Sequence, residues 1–203
     1  VRVGLCDYIK ENLTVKEPHI IILTGHAGDG KTSIMYQVLT DIGAEFDAKE
    51  KLSEITLPNG AQCLCIKDFS EIPEEEQENQ IDRIHVMKKS VDMVKNGDYV
   101  FMVANTGPLI NTFGELFDTN ENKEKSRIQL INMMDNNDGE IKYIQDVPLC
   151  VINVATVDNV YFATEFLEKI TQDKLWKKCE ECNKHHYCHI YRNRNLIVEN
   201  KTK

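Results

Sequence analysis

His19-Ile20-Ile21-Ile22-Leu23-Thr24 runs directly into Gly25-His26-Ala27-Gly28-Asp29-Gly30-Lys31-Thr32-Ser33, and the reading of the whole chain turns on this stretch. The apolar run Ile20 to Leu23 is too short for a buried helix and is rich in β-branched residues, which suits a strand covered on both faces. Residues 25 to 32 then satisfy the pattern Gly, four residues, Gly-Lys-Ser/Thr, a loop whose backbone N–H groups turn inward toward phosphate oxygens. Beyond it Ile34, Met35, Val38, Leu39 and Ile42 keep helical spacing as far as Gly43, a residue suited to a left-handed cap. Strand, glycine loop and helix therefore follow in the order that phosphate binding at a helix N-terminus requires.

Each loop residue has its own task in this reading. The glycines permit unusual torsions and close approach, Lys31 reaches the terminal phosphates, and the Thr32 hydroxyl is placed to ligate Mg2+, with Ser33 next on the same helix start. Four fixed positions match by accident in roughly one chain in a hundred of this length, and the flanking strand and helix lower that further. His26 is expected to project outward, and His85 to sit on a helix surface.

Alternation continues outward from the loop. Ile55 to Leu57 and Ala61 to Ile66 flank the turn signal Pro58-Asn59-Gly60 and predict two short strands. Ile81, Ile84, Met87, Val91 and Val94 recur at threes and fours, predicting a helix over 73–96 with Glu74-Glu75-Glu76 as a solvated first turn. Tyr99 to Ala104 and Leu149 to Val154 read as further strands. Asn105-Thr106-Gly107-Pro108 reads as a turn after the first, and Ile128, Ile131 and Met134 support a helix between the two. Leu5, Ile9 and Leu13 suit a leading helix. Strands alternating with helices predict an α/β three-layer sandwich around a mainly parallel central sheet, the P-loop nucleoside-triphosphatase architecture.

A P-loop needs an acid at the end of a neighbouring strand to hold the Mg2+ shell, and Asp68, after Cys63 to Ile66, is that candidate. Glu71 is a candidate for polarising attacking water, although Asp68-Phe69-Ser70-Glu71 also has the spacing of a helix capping box. The usual Asp-Glu doublet is absent, Phe69 standing in the second place. Asn105, at the end of the Tyr99 strand, is placed for a sensor role toward a γ-phosphate, the arrangement of ATPases with an extra strand beside the P-loop strand. Its competing reading is a simple turn residue. Arg127, on a polar helix, is either a solvated cation or a group offered to a neighbour's site.

Seven cysteines stand at 6, 63, 65, 150, 179, 182 and 188, and in a chain this large, with four of them in apolar segments, reduced thiols are the better reading. Cys179, Cys182 and Cys188 with His185, His186 and His189 fall within eleven residues, a density that predicts a structural Zn2+ held by Cys179, Cys182 and Cys188, with His185 taken as the fourth ligand and His186 or a residue beyond 203 as the alternatives. The chain thus divides into residues 1–171, the nucleotide-binding core, and 172–203, a small zinc-binding segment. Tyr191-Arg192-Asn193-Arg194 adds two cations, which suit solvated surface more than a phosphate or DNA contact.

Composition narrows the classes. Hydrophobic residues make 41% and charged residues 28% of 203, ordinary for one globular domain, and a net charge of −9 disfavours a general nucleic-acid platform. Neither a membrane-length apolar run nor a signal-peptide core is seen, so a cytoplasmic protein without membrane contact is expected. The opening Val1 and the polar ending suggest a piece of a longer protein.

Gly25-His-Ala-Gly-Asp-Gly-Lys-Thr32, Asn105-Thr-Gly107 and the block from Cys179 through Cys188-His-Ile-Tyr-Arg-Asn193 together resemble the N-terminal ATPase region of the DptF family, components of bacterial DNA phosphorothioation-dependent restriction systems. The resemblance implies an ATP- and Mg2+-binding subunit in antiphage defence. It would act with other restriction proteins, meeting DNA through them or through regions outside residues 1–203, with self-association left open. Two other classes compete: a nucleotide switch or interaction module that does not hydrolyse, and a small-molecule P-loop kinase. Kinase lids with zinc lie between core strands, whereas this cysteine block follows the last one.

Overall fold

The computed structural model describes residues 2–47, 49–75, 81–156 and 166–200, without the side chains of residues 2 and 3. The chain forms two compact units, 2–157 and 158–203, so the helical residues 166–170, grouped above with the core, fall with the C-terminal unit. In the first unit the elements are α1 (Arg2–Thr14), β1 (Ile20–Thr24), α2 (Lys31–Asp41), β2 (Leu52–Thr56), β3 (Gln62–Ile66), α3 (Arg83–Lys95), β4 (Tyr99–Val103), α4 (Thr106–Gly114), α5 (Asn120–Asn136), β5 (Ile141–Ile144) and β6 (Val147–Asn153).

The sheet runs β2-β3-β4-β1-β6-β5. Its four central strands are parallel, and β2 and β5 add antiparallel edges through hairpins. Leu57 to Ala61 make the first hairpin turn, with Gly60 at φ 86°, a value only glycine adopts freely. In the second, Gln145 and Asp146 both have positive φ, 49° and 67°, the conformation a two-residue hairpin loop demands. Strand β5 was not expected: Ile141-Lys142-Tyr143-Ile144 is short and its turn carries no glycine.

Period-two alternation divides the core. Ile20, Ile22, Leu64, Ile66, Val100, Met102, Leu149 and Val151 face α3, α4 and α5, while Ile21, Leu23, Cys63, Cys65, Phe101, Val103, Cys150 and Ile152 face α1 and α2. The unit is therefore an α/β assembly of three layers. Fully burying an isoleucine such as Ile21 or Ile22 contributes about 1.5–3 kcal/mol, so the strand that leads to the glycine loop is a firm platform.

Helix boundaries and faces depart from the expectations in specific ways. Helix α3 starts at Arg83, ten residues after Pro73, because Asp82 caps it by accepting from His85 N at 2.8 Å. That backbone bond, with the His85 ring, holds the Asp82 carboxyl below its ordinary range. Its buried face is Val86, Met87, Ser90 and Val94, and Ile81 is exposed. Glu74 and Glu75 precede the helix rather than opening it; Glu76 lies outside the described residues. Thr106-Gly107-Pro108 is the first turn of α4, not a turn of the chain; proline fits there because early helical N–H groups have no partner within the helix. Helix α5 stands where expected but buries Ser126, Leu130, Met133 and Met134, leaving Ile128 and Ile131 exposed.

In the C-terminal unit, α6 (Asp173–Glu180) and α7 (His189–Asn200) follow the helical residues 166–170. Arg194, 9% exposed, donates to Thr171 O at 2.9 Å and pairs with Asp173, so it fastens this unit internally instead of offering a surface cation. Trp176 Nε1 donates to Ile170 O at 2.6 Å.

Candidate functional site

The parallel register brings the carboxyl ends of β3, β4, β1 and β6 to one edge, since Ile66 pairs with Met102, Val103 with Leu23, and Thr24 with Asn153. Crevices outside such strand ends are where open α/β sheets hold ligands. The glycine loop leaves β1 at this edge. Gly25, Gly28 and Gly30 have φ of 142°, 89° and 77°, torsions that curl the chain back on itself before α2 begins at Lys31. Gly25 admits no side chain: a Cβ there would lie 2.6 Å from Asp29 Oδ2 and 3.2 Å from Ala155 N beyond β6.

Two side-chain bonds converge on the His26 backbone, whose carbonyl also accepts from Asp29 N at 3.4 Å. Its N–H donates to Asp29 Oδ2 at 2.5 Å, and its carbonyl accepts from Lys31 Nζ at 2.6 Å. Lys31 is only 7% exposed, so its ammonium is gathered into the loop instead of extending into solvent. Thr32 is half-buried; His26, Ala27, Gly28 and Ser33 are exposed. The first N–H groups of α2 have no intrahelical partner and carry the positive end of its dipole, which is what an anion would meet.

Hydrogen bonds tie the neighbouring strand ends to the loop. Thr24 Oγ1 lies 3.1 Å from Thr106 Oγ1, linking the loop entrance to the start of α4 beside Asn105. Asn105 N donates to Ser70 Oγ at 3.0 Å, and Ser70 N donates to Asp68 Oδ1 at 2.9 Å. Arg83 holds the same segment through Ser70 O and Ile72 O, at 3.0 and 2.8 Å. Asp68 and Asn105 thus stand on adjacent strands, joined through Ser70, with β4 inserted between β3 and β1. No sequence pattern pointed to Ser70 or Thr106; a lone hydroxyl beside a strand end carries no period or motif.

Other candidates are placed elsewhere. Asp68 does cap a 3₁₀ turn, Phe69–Glu71, but the reciprocal half of a capping box is missing: the Glu71 carboxylate is exposed and pairs with Lys51 at 3.5 Å. Phe69, which stands in the doublet's second place, is fully buried. Arg127 pairs with Glu115 at 2.8 Å and Glu124 at 2.6 Å and lies against Gly114, so its charge is used within its own unit. The hydrogen bond with Cys65, together with burial, pushes the Cys63 thiol up, and burial takes the Cys150 thiol to about 11, which makes both poor nucleophiles.

The cysteine segment gives a different picture from its density. His185 Nδ1 engages the Cys182 carbonyl at 2.8 Å, and its ring lies against His186 and Tyr191. Among the described residues no three His, Cys, Asp or Glu side chains converge as a metal cage. Cys179, Cys182, Cys188 and His185 are not gathered into such a group here. Oxygen donors at the loop edge, Thr32 and Asp68, are by contrast the hard ligands that suit Mg2+.

Compared with protein-family models, curated proteins and solved structures, the chain matches none. Among the described residues no helix is long and apolar enough to cross a membrane.

Proposed function

We propose that residues 2–157 are a P-loop ATPase unit that binds Mg2+-ATP at the Gly25–Thr32 loop, and that the chain serves as the ATP-driven subunit of a bacterial DNA phosphorothioation-dependent restriction system. One observation carries the nucleotide reading: the glycine loop, Asp68 and Asn105 share one edge of the sheet, with β4 between the loop strand and the acid strand. The system assignment rests on the resemblance of the loop, Asn105-Thr-Gly107 and the cysteine block.

In this reading the α2 N-terminus and Lys31 bind the phosphates, and Lys31 exchanges its bond to the His26 carbonyl for a phosphate oxygen. Thr32 and Asp68 would hold the Mg2+ shell, and the chemistry the ion would supply there is charge neutralisation at the terminal phosphates. Asn105, whose backbone is anchored by Ser70, orients the attacking water or the γ-phosphate. A second reading, a nucleotide switch with little turnover, is favoured by the buried Phe69 in the doublet's second place and by the pairing of the exposed Glu71 with Lys51, so that neither position offers a free base.

Steady-state phosphate release, measured alone and with candidate restriction partners and DNA, separates the two. The ATPase reading expects turnover that falls at least about 100-fold in Lys31→Ala, the scale lost when one electrostatic stabiliser is removed. Turnover unchanged by that substitution sinks it; tight nucleotide binding with no turnover under any condition establishes the switch.

A further inference from the structure

Asp29 is the one acid inside the glycine loop, and the motif leaves its position free. In the folded chain it is strongly constrained. It lies between Gly28 and Gly30, both at positive φ, and its Oδ2 reaches back across the loop to His26 N at 2.5 Å. The same oxygen fills the space that any side chain at position 25 would need. On the other side of His26, Lys31 Nζ holds the carbonyl at 2.6 Å. The loop is therefore closed by two bonds from charged side chains, a carboxylate on the N–H and an ammonium on the C=O of a single residue.

We propose that Asp29 is a positioning residue: its carboxylate clamps the loop in the phosphate-ready shape before any anion arrives. This deepens the reading of Gly25–Thr32 as a phosphate loop and rests on it. The two bonds differ in what binding does to them. Lys31 lets go of His26 to meet the phosphates. The Asp29 bond sits on His26 N, at the strand side of the loop, whereas the unpartnered N–H groups offered to an anion lie at the α2 N-terminus. Asp29 therefore keeps its bond while ligand is present. A loop rich in glycine has much conformational entropy to lose, and affinity falls by the fraction of time the loop spends in the competent shape. Removing the clamp lowers that fraction, so it slows association and weakens binding without altering contacts to the ligand.

The placement of the charge makes the claim easy to overturn, because a carboxylate that instead competed with phosphate would give the opposite sign. Affinity and association rate are measured on the full chain with Mg2+-ATP and with pyrophosphate, for the wild type, Asp29→Ala and Asp29→Asn. Asn retains an oxygen acceptor for His26 N. The clamp predicts about tenfold weaker binding of both ligands in Asp29→Ala, carried mainly by a slower association rate, with Asp29→Asn close to wild type. Equal or tighter binding in Asp29→Ala overturns it, as does a loss in Asp29→Asn as large as in Asp29→Ala. Thermal unfolding of each variant identifies a general folding defect, which would move both phases alike and would also refute a local clamp. Failure of the wild type to bind either ligand refutes the phosphate-loop reading itself, a result distinct from failure of the clamp.

Discussion

His19 precedes the strand that carries the glycine loop and shows how much a single side chain can cost when its hydrogen bonding is incomplete. It is fully buried, its Nδ1 donates to the Glu17 carbonyl at 2.6 Å, and its Nε2 finds no partner among the described residues. Burial holds the imidazole below its ordinary 6.5, the Glu17 bond opposing and Lys16 adding to the effect. The folded state thus binds this proton less readily than the unfolded state. Its contribution to stability is complete above about pH 6.5 and declines as pH falls toward the depressed value. Urea midpoints from pH 7.5 down to pH 5.5 should fall, and His19→Leu should flatten that part of the profile; an unchanged slope in the variant would assign the acid sensitivity elsewhere. The residues with a motif, Gly25 to Thr32, were legible in the sequence because backbone torsion and phosphate geometry restrict their identity. Ser70 and His19 were not, since their roles come from neighbours 35 and 80 positions away in the chain, Asn105 and Tyr99.

At the level of elements, hydrophobic period located the helices and the buried faces of α1 and α2, but read the face of α5 only in part. Of Ile128, Ile131 and Met134, only Met134 belongs to the buried stripe, whose other members are Ser126, Leu130 and Met133. Small and flexible side chains carry the contact because α4 lies close, and that closeness is visible at Gly114. A Cβ there would overlap Arg127 Nε and approach its Cγ to 2.9 Å, while Glu115 and Glu124 hold the guanidinium in place. Gly114→Ala should therefore destabilise by about 1–3 kcal/mol, the usual cost of overpacking, despite alanine's better helix propensity. In an Arg127→Ala background the same change should be neutral or stabilising, because the overlap is gone. A full penalty in both backgrounds, read from denaturant unfolding, would show that Arg127 is not the obstacle. Segment 179–189 shows where composition stops: residue density suggests ligand chemistry, but a metal site also needs side chains that converge, and no such group is formed among the described residues.

For the molecule as a whole, the alternation of elements predicted three layers, and the two faces of the sheet bear this out. What the pattern could not supply was strand order, which depends on crossovers that leave no mark in the hydrophobic periodicity. That order matters most for the proposed function, because β4 lies between β1 and β3 and their parallel pairing brings Asn105 and Asp68 to the same edge of the sheet as the loop. The net charge of −9 adds a whole-molecule constraint on the proposed function: an anionic nucleotide would approach against an unfavourable field, so the local positive charge of Lys31 and the α2 N-terminus would have to carry recognition. Isothermal titration of Mg2+-ATP into the wild type and into Lys31→Ala tests this most directly. The account predicts saturable binding at one site per chain, lost by at least about tenfold in the variant, as expected when a charged hydrogen-bond partner is removed. Binding of equal strength in both proteins, or none in the wild type, would contradict it.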